Sequence, residues 1–69
     1  MPYVNIKVTR ERGGPTTQQK KELIARTTRM LQEVLDKDPA TTFVIIDEVE
    51  TDNWGVGLES VTERRARGG

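Results

Sequence analysis

Apolar and polar residues alternate over residues 2–9, at the start of the chain. One face of this segment carries β-branched side chains: Val4, Ile6 and Val8. The other face carries Asn5 and Lys7. A period of two predicts a half-buried β-strand. Pro2 is compatible with this strand because the first residue of a strand can lack an N–H.

An amphipathic helix is predicted from Thr16 to about Lys37, a stretch without Gly or Pro. Its apolar stripe recurs every three or four residues and consists of Leu23, Ile24, Thr27, Leu31, Val34 and Leu35. Thr16 with Gln19 matches a capping box, in which two side chains satisfy free N–H groups of the first turn. Asp38 and Pro39 end the helix, because the residue before a proline avoids the helical conformation.

A second strand is predicted from Thr41 to Val49. Residues 43–46 form a continuous apolar run, which is typical of a strand buried on both faces. The segment 52–57 predicts a turn that leads into a short hairpin, where glycines permit positive φ. The last residues, 62–69, are polar and basic.

The order strand, helix, strand predicts an α/β fold made of a single βαβ unit with a short C-terminal hairpin. We assign residues 1–61 to this one domain and residues 62–69 to a basic, flexible tail. A two-stranded sheet with one helix cannot cover its own faces and edges. We therefore expect two units to dimerise into a four-stranded sheet, and this sheet to be covered by further subunits.

Composition narrows the chemistry that the chain can perform. Its 69 residues include no Cys and no His, and its formal net charge is zero. These absences exclude a disulfide framework, a zinc finger and a Ser-His or Cys-His nucleophile pair. We expect no metal, no cofactor and no nucleic-acid partner, the last because of the neutral charge. No apolar run is long enough to span a membrane, and the first residues lack the pattern of a signal peptide, so we expect a cytoplasmic protein.

Pro2 offers the most informative chemistry in the chain. Methionine aminopeptidase removes Met1 when a small residue follows, and the new terminus would be a secondary amine. An apolar pocket and nearby cations lower the pKa of such an amine. A neutral amine near pH 7 can act as a general base or attack a carbonyl. Many proteins begin with Met-Pro for no catalytic reason, so this residue alone does not decide the function.

Four segments together resemble the 4-oxalocrotonate tautomerase family of the tautomerase superfamily. They are residues 1–6 (MPYVNI), 18–24 (QQKKELI), 44–48 (VIIDE) and 52–57 (DNWGVG). The resemblance extends from residue 2 to about residue 60. It implies an isomerase that catalyses keto–enol tautomerisation of a 2-hydroxydienoate or 2-oxo acid. It also implies self-association, from a homodimer to a homohexamer, and a small carboxylate as substrate.

The resemblance assigns a role to individual residues as well. Pro2, after loss of Met1, matches the general base of the family. The loop after the first strand holds Arg10 and Arg12, and the resemblance implies that one of them binds the substrate carboxylate. Trp54 matches an aromatic residue that lines the pocket and keeps the proline amine unprotonated.

Phe43 departs from the family pattern. The namesake enzyme has an arginine at this position, which contacts the carboxylate and the carbonyl oxygen of the substrate. Phe43 cannot stabilise a developing enolate as a guanidinium does. We therefore expect Phe43 to line a more apolar site that binds dicarboxylates less well than the namesake enzyme.

Three alternatives remain open from the residues. A carboxylate of the acidic run over residues 47–52 would activate water in a hydratase or dehalogenase-like site of the same superfamily. Lys7, the loop arginines and the basic tail would suit a small strand–helix DNA-binding module, although the neutral charge and the apolar run oppose it. Gly68 and Gly69 suggest a ubiquitin-like modifier, but that fold expects a hairpin before its helix.

Overall fold

The strands and helices follow the order that the sequence pattern predicts. The computed structural model describes residues 1–68, so Gly69, the last residue of the predicted tail, lies outside the described part. In chain order the elements are β1 (Tyr3–Arg10), α1 (Thr17–Leu35), a 3-10 turn (Pro39–Thr41), β2 (Phe43–Glu50), a second 3-10 turn (Thr51–Asn53), β3 (Gly55–Val56), β4 (Glu59–Ser60) and α2 (Val61–Ala66). This order confirms the α/β fold with one βαβ unit and a C-terminal hairpin.

β1 and β2 form a parallel pair, which positions every residue discussed below. Tyr3 lies opposite Phe43 at one end of the pair, and Arg10 lies opposite Glu50 at the other. Near the middle, Asp47 accepts hydrogen bonds from the Asn5 amide and the Lys7 ammonium, each at 2.8 Å. The hydrogen bond from Lys7, followed by that from Asn5, lowers the pKa of the Asp47 carboxyl group.

We expect Asp47→Asn to lower the melting temperature modestly at pH 7 and to reduce the acid sensitivity of the fold. The pKa of Asp47 is below its ordinary value of 3.8 in the folded chain. The stabilisation is therefore fully present above that value and is lost as the pH falls through the folded-state pKa. Thermal melts followed by circular dichroism at a series of pH values measure this. The difference between parent and variant should stay constant above the ordinary pKa of 3.8 and shrink as the pH falls below it, and a difference that grows with acidification would contradict the assignment.

The capping box at the start of α1 is confirmed, and the end of the helix differs from the prediction. The Gln19 N–H donates to the Thr16 hydroxyl at 3.0 Å, and the Thr16 N–H donates to the Gln19 side chain at 2.8 Å. The helix ends at Leu35 instead of near Lys37, because Asp36 takes the left-handed conformation with φ of 56°. Aspartate is one of the few residues that adopt this conformation readily, so the helix stops before the proline is reached.

The C-terminal segment contains more regular structure than a tail. The turn between β3 and β4 has positive φ at both Gly57 (61°) and Leu58 (76°), which is a type I′ hairpin turn. A left-handed leucine costs about 1–2 kcal/mol, yet the hairpin geometry is retained. Ser60 and Glu63 then form a second capping box that starts α2. The structure thus has a helix in part of residues 62–69, where we predicted a flexible tail, while the domain boundary at 61 stays a prediction.

One chain buries very little of its apolar surface. Val61 is the one buried hydrophobic residue among residues 1–68, at 8% exposure. The radius of gyration is 15.3 Å, whereas a compact domain of this length has about 11 Å. Phe43 and Ile45 are 49% and 46% exposed, so β2 is not buried on both faces in the single chain. The physical reason is that one helix covers only one face of a two-stranded sheet.

No helix within residues 1–68 combines the length and the apolar character needed to cross a membrane.

Candidate functional site

Pro2 and Phe43 lie together at the amino end of the sheet. The Phe43 N–H donates to the Pro2 carbonyl oxygen at 2.9 Å, which extends the ladder of the parallel pair by one step. Pro2 is half-buried, and Met1 before it is exposed. The backbone of Phe43 therefore lies beside the residue that we expect to carry the amine, and Phe43 is 49% exposed at this end of the sheet.

Arg10 and Arg12 lie at the carboxyl end of the same sheet. Arg10 is the last residue of β1, and a type I′ turn follows it from Glu11 to Gly14, closed by a hydrogen bond of 2.9 Å from the Gly14 N–H to the Glu11 carbonyl. Arg12 and Gly13 form the tip of this turn, with φ of 54° and 84°. Asn, Asp and Gly are the residues that normally occupy these positions. An arginine in a left-handed conformation is therefore an unusual feature of this loop.

The two arginines differ in their electrostatic surroundings. The Arg10 guanidinium lies 3.7 Å from the Glu50 carboxylate across the parallel pair. Arg12 has no ion pair with any residue from 1 to 68. Only the guanidinium of Arg12 is thus without an acidic partner in this loop.

Trp54 also lies at the carboxyl end of the sheet, after the 3-10 turn that follows β2. Its carbonyl accepts a hydrogen bond of 2.8 Å from the N–H of Val61, the first residue of α2. The Thr62 hydroxyl contacts the Thr51 hydroxyl at 2.6 Å and the Asp52 carboxylate at 2.5 Å. The start of α2 therefore holds the turn that carries Trp54.

The five predicted site residues do not form one site within a single chain. β1 has eight residues from Tyr3 to Arg10, and at 3.3 Å per residue its ends are about 23 Å apart. Because β2 runs parallel to β1, Phe43 lies at the proline end and Trp54 at the arginine end. We call these two groups the proline cluster (Pro2 and Phe43) and the arginine cluster (Arg10, Arg12 and Trp54). A pocket that uses both must take them from different chains.

The acidic residues of β2 form ion pairs with cationic side chains of β1 and α1. Asp47 pairs with Lys7 and Glu50 with Arg10, and Glu48 pairs with Lys20 of α1 at 2.5 Å. The Oε1 atom of Glu48 also lies directly against Gly14, where it leaves no room for a Cβ atom. The pairing of these carboxylates could not be read from the linear sequence. Asp47, Glu48 and Glu50 of this run therefore each form an ion pair.

Sequence reasoning missed two residues near the arginine cluster. Glu11, between the two arginines, forms an ion pair with Arg65 of α2. The only sequence signal was the basic composition of the tail, which did not predict a helix.

A cleft of about 480 Å³ lies between this loop and α1, bounded among others by Gly14, Leu23 and Arg26. It contains none of the five predicted site residues, so it is not the predicted pocket.

The sequence and the fold both match known tautomerases. Residues 2–64 match the family model described as tautomerase enzyme. A probable tautomerase from Dickeya dadantii is 65% identical over 65 residues, which cover 94% of each chain. The crystal structure of DmpI from Helicobacter pylori has a TM-score of 0.86 at 46% identity, covering 94% of this chain and 97% of that one. A heterohexameric 4-oxalocrotonate tautomerase from Chloroflexus aurantiacus has a TM-score of 0.76 at 30% identity, covering 91% and 97%.

These matches and the βαβ fold define an isomerase enzyme. The chain belongs to the 4-oxalocrotonate tautomerase family of the tautomerase superfamily. Membership excludes the ubiquitin-like alternative, in agreement with β1 leading into α1 without an intervening hairpin. It also favours an enzyme over a DNA-binding module.

Proposed function

We propose that this protein catalyses keto–enol tautomerisation of a small 2-oxo acid, with Pro2 as general base after removal of Met1. The observation that supports this most directly is the backbone hydrogen bond from Phe43 to Pro2, which fixes Pro2 at the amino end of the sheet. The neutral proline nitrogen accepts a proton from the enol oxygen, or from an acidic carbon beside the carbonyl. It then returns that proton to the other position, so the substrate changes only in the location of one hydrogen and one double bond.

The proposed catalytic pocket combines clusters from different subunits. Pro2 and Phe43 of one subunit face the arginine cluster of another, since about 23 Å separates the two clusters within one chain. Three observations support self-association: the single buried hydrophobic residue of the described chain, its elongated shape and the heterohexameric relative. We propose an assembly between a homodimer and a homohexamer, located in the cytoplasm.

Arg12 is the proposed ligand of the substrate carboxylate. Its guanidinium has no acidic partner within residues 1–68, whereas Glu50 lies 3.7 Å from that of Arg10 and competes with an incoming anion. A guanidinium can donate two parallel hydrogen bonds to a carboxylate. Trp54, held at the same end of the sheet, adds apolar surface that excludes water from the bound substrate and helps to keep the amine neutral.

Phe43 sets the proposed preference for a monocarboxylate. A second carboxylate at the proline end would lie against an apolar ring with no guanidinium to neutralise it. Burying an unpaired carboxylate is costly. A hydratase or dehalogenase-like reaction is less well supported, because the carboxylates of Asp47, Glu48 and Glu50 have cationic partners and that of Asp52 accepts a hydrogen bond from Thr62.

The direct test is the activity of the purified protein together with its intact mass. We expect a mass that lacks Met1, and tautomerisation of phenylenolpyruvate followed by the loss of its ultraviolet absorbance. We expect kcat/KM for phenylenolpyruvate to exceed that for an enol dicarboxylate of the 4-oxalocrotonate type by about tenfold or more, because of the unpaired second carboxylate. A protein that has lost Met1 and tautomerises neither compound would refute the proposed reaction.

A further inference from the structure

We propose that the ion pair between Glu11 and Arg65 is a positioning contact, which holds the Arg12 turn in the conformation that binds the substrate carboxylate. This inference rests on the proposed function and adds residues to the same site. Glu11 and Arg65 are positioning residues, because neither would touch the substrate. The case rests on the strain of the turn, the burial of one Glu11 oxygen and the anchoring of α2.

The turn that carries Arg12 needs external support. Arg12 adopts φ of 54°, a region that disfavours a side chain with a Cβ atom. Such conformations persist where surrounding contacts over-determine them, and they are concentrated at functional sites. Within the turn itself the closing contact is one hydrogen bond, from the Gly14 N–H to the Glu11 carbonyl. Contacts from other elements must therefore hold the turn in place.

Support on the far side of the turn comes from β2 and α1. The Glu48 side chain closes against Gly14, and Lys20 of α1 pairs with Glu48 at 2.5 Å. These contacts fix the residues that follow Arg12. On the near side, β1 ends at Arg10 opposite Glu50, so Glu11 is the first residue that the sheet does not pair.

Glu11 supplies that support through α2. Its Oε1 atom has no contact with solvent and accepts no hydrogen bond from residues 1–68, and the Arg65 guanidinium lies within ion-pair distance of it. A carboxylate oxygen removed from water requires a compensating cation. The rest of the pair is accessible, since the Arg65 side chain is 59% exposed. Exposed pairs add little to the free energy of unfolding, so we expect the pair to affect geometry more than stability.

α2 can act as a support because it is itself anchored at both ends. Val61 at its start is buried and donates a hydrogen bond to the Trp54 carbonyl. Arg67, just after its last turn, donates to the Glu59 carboxylate of β4 at 3.1 Å. Arg65 therefore lies in a helix that is held in place at both ends. The helix connects the Trp54 turn to the Arg12 turn, the two parts of the arginine cluster.

The test compares Glu11→Gln, Arg65→Gln and their combination in phenylenolpyruvate kinetics. We expect each single variant to raise KM about five- to twentyfold with kcat within about twofold of the parent, and the double variant to match the singles, as coupled residues do. Arg65→Lys, which keeps the cation, should recover most of the loss. The two single variants change the net charge in opposite directions. A simple effect of charge on an anionic substrate would thus move KM in opposite directions, whereas loss of positioning raises it in both.

Arg26→Gln is the matched control, because it removes a guanidinium from an exposed ion pair with Glu22 on α1. Its KM should stay within about twofold of the parent. Melting temperature and assembly mass are measured for all variants, to separate positioning from unfolding. The inference is overturned if the KM of Arg65→Gln equals that of the control, if the two single variants move KM oppositely, or if their effects multiply in the double variant.

Binding of cinnamate, an unreactive carboxylate, measured by calorimetry, separates this inference from the proposed function. A parent that binds cinnamate without tautomerising any enol refutes the reaction, and weaker binding by both single variants still supports the positioning role. A parent that is active, with unchanged KM in both variants, refutes the positioning role alone. A parent that neither binds cinnamate nor tautomerises an enol refutes both.

Discussion

We expect Pro2→Ala to lower kcat/KM for phenylenolpyruvate about 100-fold, with the assembly unchanged. A positioned general base contributes about 10²–10⁴-fold to a rate, and alanine leaves a primary amine that retains part of this function. The proline ring fixes φ and restricts the direction of its nitrogen. An alanine terminus loses that restriction and becomes free to rotate away from the substrate. The same kinetic assay, with the intact mass of each protein, measures the effect.

Pro39→Ala is the matched control for Pro2→Ala. Pro39 starts the 3-10 turn before β2 and contributes no atom to either cluster. Its removal should leave kcat/KM within about twofold of the parent, since it alters only backbone preference. The mass measurement matters here, because a variant that retains Met1 would be inactive for a different reason. Full activity of Pro2→Ala with Met1 removed would show that another group is the base.

The second large effect is expected from Arg12→Ala, which should lower kcat/KM about 10- to 100-fold, mainly through KM. A hydrogen bond to a charged partner contributes about 1.5–3 kcal/mol, so the net loss of one such bond corresponds to about a 10- to 160-fold change. The loss should be smaller for a neutral ester of the substrate, which lacks the carboxylate charge. Steady-state kinetics on the acid and the ester measure both values.

Arg10→Ala provides the comparison that tests the choice between the arginines. It removes the same charge from a position two residues away, but from a guanidinium that faces Glu50. We expect its effect on KM to be less than about threefold, as is typical of an exposed and partly neutralised cation. Equal effects of the two variants would show that the net charge of the loop, rather than a specific contact by Arg12, binds the carboxylate.

The fold was predictable because its signals are local. The alternation of Val4, Ile6 and Val8 and the capping box of Thr16 with Gln19 each depend on residues close in the sequence, and both elements form near the predicted positions. The end of α1 was misplaced because the left-handed conformation of Asp36 leaves no sequence signal as clear as a proline. The helix Val61–Ala66 was missed for a similar reason, since its short length gives no apolar stripe.

The site was predictable only as a set of residues. The resemblance offered Pro2, Arg10, Arg12, Phe43 and Trp54 as candidates and left the choice between the arginines open, and their distribution over two ends of the sheet follows from the parallel register. The pairing of Glu11 with Arg65 depends on the placement of α2, which only the folded chain defines. Long-range ion pairs of this kind are not encoded by spacing, so sequence patterns do not predict them.

The length of β1 has a consequence for how this enzyme responds to dilution. A strand that keeps the two clusters about 23 Å apart prevents one chain from completing a pocket alone. Under the proposed function, the specific activity therefore depends on the dissociation constant of the assembly. At protein concentrations well below that constant, each polypeptide would carry every required side chain and still have no turnover. Catalysis by this small chain would then be set by its abundance in the cell as well as by its chemistry.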